Sequence, residues 1–448
     1  MLTKENNKIY NFHFKEILKG SSIAMIVRIL GVISTYIYTL IITKFFDASG
    51  MGIFALSQTI LMVATIYAKL GIDTASIRII SENFSNNKID KIKKFYSTSL
   101  KIITFNSLLV SFILFLLADF IAFNLLEKPI MKEIIRIISF CVLPFAMLRL
   151  HSENFRGLKK IIHYSIFRIM TIPLLASFIL FFQMFYFTKY IYMPVISYLF
   201  SMVFLSSFCF MVWKHTINKL PNNSKIDKSN HITIKDILKI SLPMFTTSAM
   251  TYIFAWISIV VLGIYETNSQ IGIYNVAVKI SLMSSTFAMF AVNSISAPKI
   301  SELYHSNKKD ELRFTINSAN KLIFMISFPV VIVLIIFPSF FLSIFGDEFV
   351  GGRISLIILL LAQLTNSLTG SVGYILQMSG FEKLYSKIII FVMIVAIVLN
   401  FILVPIYGII GAALASFASI SLRNIISIIF VKRKLNILSL YILNVFKK

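Results

Sequence analysis

Residues 388–407 read IIIFVMIVAIVLNFILVPIY, a run of 20 residues without a charged side chain. About 20 consecutive apolar residues are what a helix needs to cross the hydrocarbon core of a bilayer. Similar runs recur along the 448-residue chain, which is 57% hydrophobic and only 14% charged. A soluble protein of this size could not bury so much apolar surface. The sequence therefore predicts a polytopic membrane protein of the all-α class.

Segments of this length and composition predict twelve membrane spans. They are 20–42, 50–72, 102–126, 134–150, 164–187, 193–213, 241–263, 273–297, 322–345, 354–378, 388–407 and 412–431. The first span is too long for the apolar core of a signal peptide, and no small-residue cleavage motif follows it. We expect it to remain as an anchor.

The Lys and Arg residues are distributed unevenly between the two sides of the membrane. With the N-terminus inside, the inner segments hold 33 of the 43 basic residues, and the short outer loops hold 6. This positive-inside bias predicts a multi-pass membrane protein with both termini in the cytoplasm. The net charge of +24 is then explained by membrane topology and by attraction to anionic lipid, rather than by a surface that binds nucleic acid.

The two halves of the sequence resemble each other at a constant offset of 220 residues. Residues 52–54 match 272–274, and residues 80–82 match 300–302, without a gap. Six helices return the chain to the same side, so the two copies would insert with the same orientation, as a parallel repeat. The sequence thus predicts two six-helix bundles around a central cavity that opens to either side, which is typical of a transporter.

The predicted organisation has four parts. An N-terminal bundle (1–213) is followed by a polar cytoplasmic linker (214–240), a C-terminal bundle (241–431) and a cytoplasmic tail (432–448). The outer loops leave no room for an extracellular domain, so the activity is expected within the spans. No CxxC or HExxH motif and no His/Cys cluster occurs, so neither a metal nor a cofactor is predicted.

Two of the basic residues inside predicted spans, one in each half, are candidates for ligand binding. They are Arg28 in span 1 and Lys279 in span 8, and neither has an acidic residue three or four positions away. Ionisable residues inside a membrane are costly and usually face a cavity or a partner. We expect an anionic ligand to supply the countercharge. The alternatives are snorkelling to the nearer interface and pairing with backbone carbonyl groups.

Three further basic residues are candidates at the inner ends of spans. Lys69 and Arg78 bracket the inner end of span 2, and Arg156 follows span 4. We expect them to assist at an inner entrance. The alternative for Lys69 is an i,i+4 ion pair with Asp73, and positive-inside topology explains Arg78 and Arg156 equally well.

The 19 acidic residues fall almost entirely in loops or at span ends. An antiporter driven by protons or sodium ions usually needs a buried carboxylate. The predicted interior instead offers cations, hydroxyls, amides and tyrosines, which favours an anionic or sugar-rich substrate over a cationic drug.

Several short motifs occur in a recognisable order. Residues 70–75 read LGIDTA and precede Arg78, residues 271–277 read IGIYNVA and precede Lys279, and residues 404–413 read VPIYGIIGAA. With Asn154-Phe155-Arg156-Gly157 and residues 297–302 (APKISE), the chain resembles the polysaccharide biosynthesis and export family, the Wzx-type flippases of the multidrug/oligosaccharidyl-lipid/polysaccharide (MOP) exporter superfamily.

This resemblance implies the flipping of an undecaprenyl-diphosphate-linked oligosaccharide from the inner to the outer leaflet, for O-antigen or capsule synthesis. It also implies a polysaccharide polymerase and a chain-length regulator as candidate partners. One departure from the family pattern is Ser258. It occupies a position near the end of the seventh span where the family often has an acidic residue. Any ion coupling that relies on that carboxylate is in doubt.

Two alternatives remain open. A multidrug antiporter of the same superfamily would need an embedded carboxylate, and none is evident from the sequence. A membrane polysaccharide polymerase would need a large outer loop, and an acyltransferase an embedded histidine. All six histidines fall at or near inner loops, so the sequence does not predict an enzyme.

Overall fold

The computed structural model describes residues 2–220, 233–306 and 308–437. Helices make up nearly all of these residues, which contain no strand, so the predicted all-α class is confirmed. The helices in the first half are α1 (Leu2–Lys69), α2 (Ile72–Ser85), α3 (Ile89–Leu116), α4 (Met131–Ser139), α5 (Val142–Gly157), α6 (Ile161–Ser165), α7 (Thr171–Tyr186) and α8 (Met193–Asn218). Those in the second half are α9 (Ile234–Tyr265), α10 (Asn268–His305), α11 (Lys309–Ile336), α12 (Pro338–Ser343), α13 (Arg353–Thr369), α14 (Val372–Met378) and α15 (Glu382–Leu435).

Two compact units divide the chain. The first comprises Met1–Ile41 and Ile60–Ala249, and the second comprises Ile42–Thr59 and Met250–Lys448. The predicted domain limits, 1–213 and 241–431, stay predictions. Within the predicted linker and tail, residues 221–232 and 438–448 lie outside the described residues.

Nine helices of the described chain are long and apolar enough to cross a membrane, and ten if α4 and α5, bent by 45°, form one span. The chain is therefore a multi-pass membrane protein. Every predicted span falls mainly on one of these helices or on the bent pair. The number of twelve crossings stays a prediction.

The longest helices, α1 and α15, are each interrupted by one residue outside the helical conformation. These residues are Asp47 (φ 59°) in α1 and Gly408 (φ 54°) in α15. A Cβ atom on Gly411 would lie 2.1 Å from the carbonyl oxygen of Leu403. In a straight helix, residues eight positions apart are separated by about 12 Å. The chain therefore turns sharply at Gly408, and α15 holds two of the predicted spans.

The helix bounds repeat at the offset that the sequence predicts. Helix α3 and helix α11 both contain 28 residues, and their first and last residues are each 220 positions apart. The last residue of α2, Ser85, likewise lies 220 positions before His305, the last residue of α10. The helix bounds thus agree with the predicted duplication.

Two glycines that correspond across the repeat contact each other within the second unit. A Cβ atom on Gly52 would lie 1.7 Å from the carbonyl oxygen of Asn268, and one on Gly272 would lie 2.0 Å from that of Ala48. Small residues at such positions let two helix backbones approach closely inside a membrane. The repeated Gly-Ile motif is therefore a helix-packing site as well as a sequence signature.

We expect Gly52→Ala and Gly272→Ala each to lower the melting temperature of the purified protein by several degrees, because backbone atoms cannot move aside as a flexible side chain can. Gly351→Ala is the matched control, since nothing lies within 4 Å of a Cβ atom there. Thermal unfolding followed by size-exclusion chromatography measures the difference. Equal stability of all three variants would contradict the close helix contact.

Candidate functional site

A buried ion pair lies where α1 ends and α2 begins. Asn106 of α3 donates hydrogen bonds to the carbonyl oxygens of Tyr67 and Ala68, in the last turn of α1. The chain then turns through Leu70 and Gly71, both with positive φ.

This turn brings the Nζ of Lys69 to 2.5 Å from Oδ2 of Asp73, and both side chains are less than a tenth exposed. Asp73 also lies in the first turn of α2, where the helix dipole favours a negative charge. The i,i+4 pair considered for Lys69 in the sequence is therefore the arrangement in the structure.

A second buried carboxylate lies beside this pair. Gly157 of α5 packs against Ile80 and the carbonyl oxygen of Ser76, which holds α5 close to α2. Glu153 of α5, whose side chain is 7% exposed, pairs with Arg156 at 3.6 Å and with Arg168 at 3.5 Å.

Glu153 also lies within electrostatic range of Asp73 and Lys69. We call these five residues, Lys69, Asp73, Glu153, Arg156 and Arg168, the charge cluster. Its three basic and two acidic residues leave one net positive charge.

The charge cluster contains two of the predicted site residues and two residues that sequence reasoning missed. Lys69 and Arg156 were predicted, whereas Glu153 and Arg168 were not singled out. Asp73 and Glu153 do lie at span ends, as expected, yet both are only 6% exposed. The described part of the first unit therefore has buried carboxylates, although the sequence suggested an interior without them. The sequence feature that could have identified Arg168 is its position, four residues after the start of predicted span 5.

The other three predicted residues are not members of the charge cluster. Arg78 is exposed on α2, and Arg28 is half-buried on α1. Lys279 is half-buried on α10, one helical turn after Asn275. The side-chain oxygen of Asn275 is buried and has no hydrogen-bond partner among the described residues. The substrate-binding roles of Arg28, Arg78 and Lys279 stay predictions.

At the position near the end of the seventh span where the family often has an acidic residue, this chain has the hydroxyl group of Ser258. Ser258 of α9 is 8% exposed, and its Oγ lies 3.2 Å from Oγ of Ser416 on α15. The phenol oxygen of Tyr274 lies 3.1 Å from the same Ser416 Oγ. This group is held by neutral hydrogen bonds that link α9, α10 and α15.

A longer polar network connects α10, α13 and α15 in the second unit. Ser285 and Asn366 both donate to Oε1 of Gln363, at 2.7 and 3.0 Å. Arg423 and Asn424 both donate to Oδ1 of Asn366, at 2.9 and 2.7 Å. We call these five residues the amide network. The sequence suggested no role for Arg423, since its partners are distant along the chain.

Solved structures show which class of protein has this fold. A MATE-family multidrug resistance transporter of the MOP superfamily, in an inward-facing conformation, superposes with a TM-score of 0.72 at 14% identity. That match covers 92% of this chain and 98% of the transporter. The lipid II flippase MurJ, in an inward closed conformation, gives 0.70 at 16% identity over 93% of this chain and 87% of MurJ. The fold is therefore that of the MOP-superfamily transporters.

Comparison of the sequence with models of known families shows which family the chain belongs to. The model of a family described as polysaccharide biosynthesis protein matches residues 52–351, and the chain belongs to this family. A curated relative, the probable low-salt glycan biosynthesis flippase Agl15 of Haloferax volcanii, is 23% identical over 46% of this chain. The aligned region spans 43% of the length of that relative.

Proposed function

We propose that the protein is a flippase that moves an undecaprenyl-diphosphate-linked oligosaccharide from the inner to the outer leaflet of the bacterial cytoplasmic membrane, for O-antigen or capsule synthesis. The observation that carries the proposal is the match of residues 52–351 to the polysaccharide biosynthesis family, on a transporter fold. Agl15, described as a glycan biosynthesis flippase, and MurJ, a lipid II flippase, both support it.

The chemistry of the cargo requires basic partners inside the membrane. A diphosphate carries negative charge that arginine and lysine bind through charge-assisted hydrogen bonds. Arg28 and Lys279 are half-buried on membrane helices, which suits contact with the diphosphate or with an acidic sugar. Lys69, Arg78 and Arg156 would assist where the cargo enters, together with Arg168 of the charge cluster. Transport would proceed by alternating access.

The membrane topology and the partners belong to the same proposal. Both termini would lie in the cytoplasm, where the surplus of Lys and Arg faces anionic lipid. The flipped lipid-linked repeat would pass to a polysaccharide polymerase, with a chain-length regulator as a further candidate partner.

One observation supports a second candidate, a multidrug antiporter. Asp73 and Glu153 are buried carboxylates in a membrane helix bundle, and such groups serve ion coupling in antiporters. Both carboxylates, however, are already paired with basic side chains of the protein.

Deletion of the gene with complementation tests both candidates when the surface glycan and the sidedness of the lipid-linked repeat are measured together. A flippase predicts loss of surface glycan with the repeat trapped on the inner leaflet. Loss of glycan with the repeat already on the outer leaflet would move the defect to polymerisation. Unchanged glycan together with lower drug resistance in the deletion strain would favour the antiporter.

A further inference from the structure

Arg423 places a cation near the middle of a membrane helix in the second unit. The part of α15 that follows Gly408 runs from Ile409 to Leu435. At a rise of 1.5 Å per residue, Arg423 lies about 21 Å from the first of these residues and about 18 Å from the second. Within the predicted span 412–431, Arg423 lies eight residues, or about 12 Å, from the inner end, which places it in the membrane-spanning part of the helix.

The contacts of Arg423 leave its charge uncompensated by any carboxylate of the described residues. Its Nη2 donates to Oδ1 of Asn366, and its guanidinium lies 5.7 Å from the centre of the Phe254 ring. No described acidic residue forms an ion pair with it. A guanidinium has five N–H donors, of which this hydrogen bond uses one.

The unused donors of Arg423 are accessible. Its side chain is half-buried, and neither Nε nor Nη1 is among the buried polar atoms of the described chain that lack a partner. Both atoms therefore keep some exposure and have N–H groups to donate. A phosphate or carboxylate group accepts two parallel hydrogen bonds from such a guanidinium edge.

The amide network holds the guanidinium in one orientation. Oδ1 of Asn366 can face Arg423 only while its Nδ2 faces Oε1 of Gln363, and Gln363 is held in turn by Ser285. Asn424 donates to the same Oδ1 and fixes it from α15. Donors held in place before the ligand arrives lose little conformational entropy on binding.

We propose that Arg423 is an anion-binding residue of the second unit, with Asn366 as its positioning residue, and that its ligand is the phosphate-bearing end of a polyprenyl lipid. The inference rests on the proposed function, because it takes the ligand to be the lipid-linked cargo. Arg423 would be a further basic binding residue beside Arg28 and Lys279. It lies on α15, and the amide network of α10, α13 and α15 holds it in position.

The direct test measures how much undecaprenyl diphosphate and undecaprenol the purified protein retains, by native mass spectrometry. The wild type is expected to retain the diphosphate preferentially. Arg423→Gln should lower retention of the diphosphate about tenfold and leave undecaprenol unchanged, since only the charged contacts are lost. Arg423→Lys should lose less, because the positive charge remains. Arg433→Gln, an exposed arginine on the same helix, is the matched control.

Asn366→Asp separates binding from packing. A carboxylate at this position would pair with the guanidinium and cancel its charge, while it keeps the contact between α13 and α15. We expect lost diphosphate retention by a folded variant, in which the amide of Gln363 turns so that its Nε2 donates to the new carboxylate oxygen. If Arg423 only holds the helices together, Asn366→Asp will retain the diphosphate like the wild type, and the inference is wrong.

The remaining outcomes distinguish the inference from the proposed function. If the wild type moves the lipid-linked repeat and Arg423→Gln retains as much diphosphate as the wild type, only the proposed role of Arg423 is wrong. Failure of the wild type to bind undecaprenyl diphosphate or to move the repeat would overturn both. Phosphatidylglycerol is the third probe. If Arg423→Gln lowers its retention by the same factor, the ligand is a bilayer lipid and not the cargo, which also overturns the inference.

Discussion

Asp73→Asn is expected to destabilise the protein by about 3–5 kcal/mol, because it leaves the ammonium group of Lys69 buried without its countercharge. The two side chains are only 8% and 9% exposed, so water cannot replace the lost carboxylate. The loss would appear as a fall in melting temperature in detergent, or as failure to recover folded protein. The exposed pair Lys299–Glu302 is the matched control, and Glu302→Gln should cost less than about 1 kcal/mol.

The double variant Lys69→Met/Asp73→Leu keeps this prediction testable if the single variant does not fold. Apolar replacement of both members of a buried ion pair is often neutral or stabilising, so the double variant should regain the lost stability. It also separates two roles of Lys69. Normal folding with impaired transport would support the assisting role in cargo entry, whereas normal transport would leave Lys69 a purely structural cation. A double variant as unstable as Asp73→Asn would contradict the importance of the buried pair.

Neutralisation of Arg28 or Lys279 is expected to abolish surface polysaccharide while the amount of protein in the membrane stays normal. Arg28→Gln and Lys279→Gln each remove a basic residue that the sequence places inside a span, and the diphosphate would lose charge-assisted contacts in a low-dielectric environment. Conservative replacement by the other basic residue should restore part of the activity. The measurements are surface glycan and the level of membrane-inserted protein.

Lys101→Gln provides the control for these two variants, since Lys101 is an exposed lysine on α3. It should leave the surface glycan unchanged. Full glycan display by both Arg28→Gln and Lys279→Gln would remove these residues from the substrate path. In that case the charge cluster and Arg423 would be the remaining candidates for the diphosphate, and the Arg423→Gln variant would decide between them.

The charge cluster changes how the predicted entrance residues are understood. Lys69 and Arg156 were expected to assist at an inner entrance, with an ion pair to Asp73 as the alternative for Lys69, and each lies beside a carboxylate in the structure. Arg156 is half exposed and Arg168 is a fifth exposed, so their guanidinium groups are the more accessible cations of the cluster. We therefore expect Arg156 to contribute more to cargo entry than Lys69.

The sequence by itself determined the all-α membrane class and the approximate positions of the long apolar helices, and it predicted the duplication. These properties can be read along the chain, because the bilayer sets the length of each apolar run and the basic residues mark the inner side. Helix bounds that repeat at 220 residues, as in α3 and α11, follow from a pattern already present in the loops. The Lys69–Asp73 pair could also be predicted from its spacing of four residues, although the structure forms it across the turn at Leu70 and Gly71 rather than on one helical face.

Tertiary structure alone decided the partners of the buried polar groups. Arg423 contacts Asn366 from 57 residues away, and Ser285 contacts Gln363 from 78 residues away. Arg168 reaches Glu153 from a different helix, and Gly52 meets the helix that contains Gly272. Such contacts depend on the rotation and axial position of each helix against its neighbours. Hydropathy and charge along one helix do not specify these quantities, because packing of small residues and interhelical hydrogen bonds set them only when the bundle assembles.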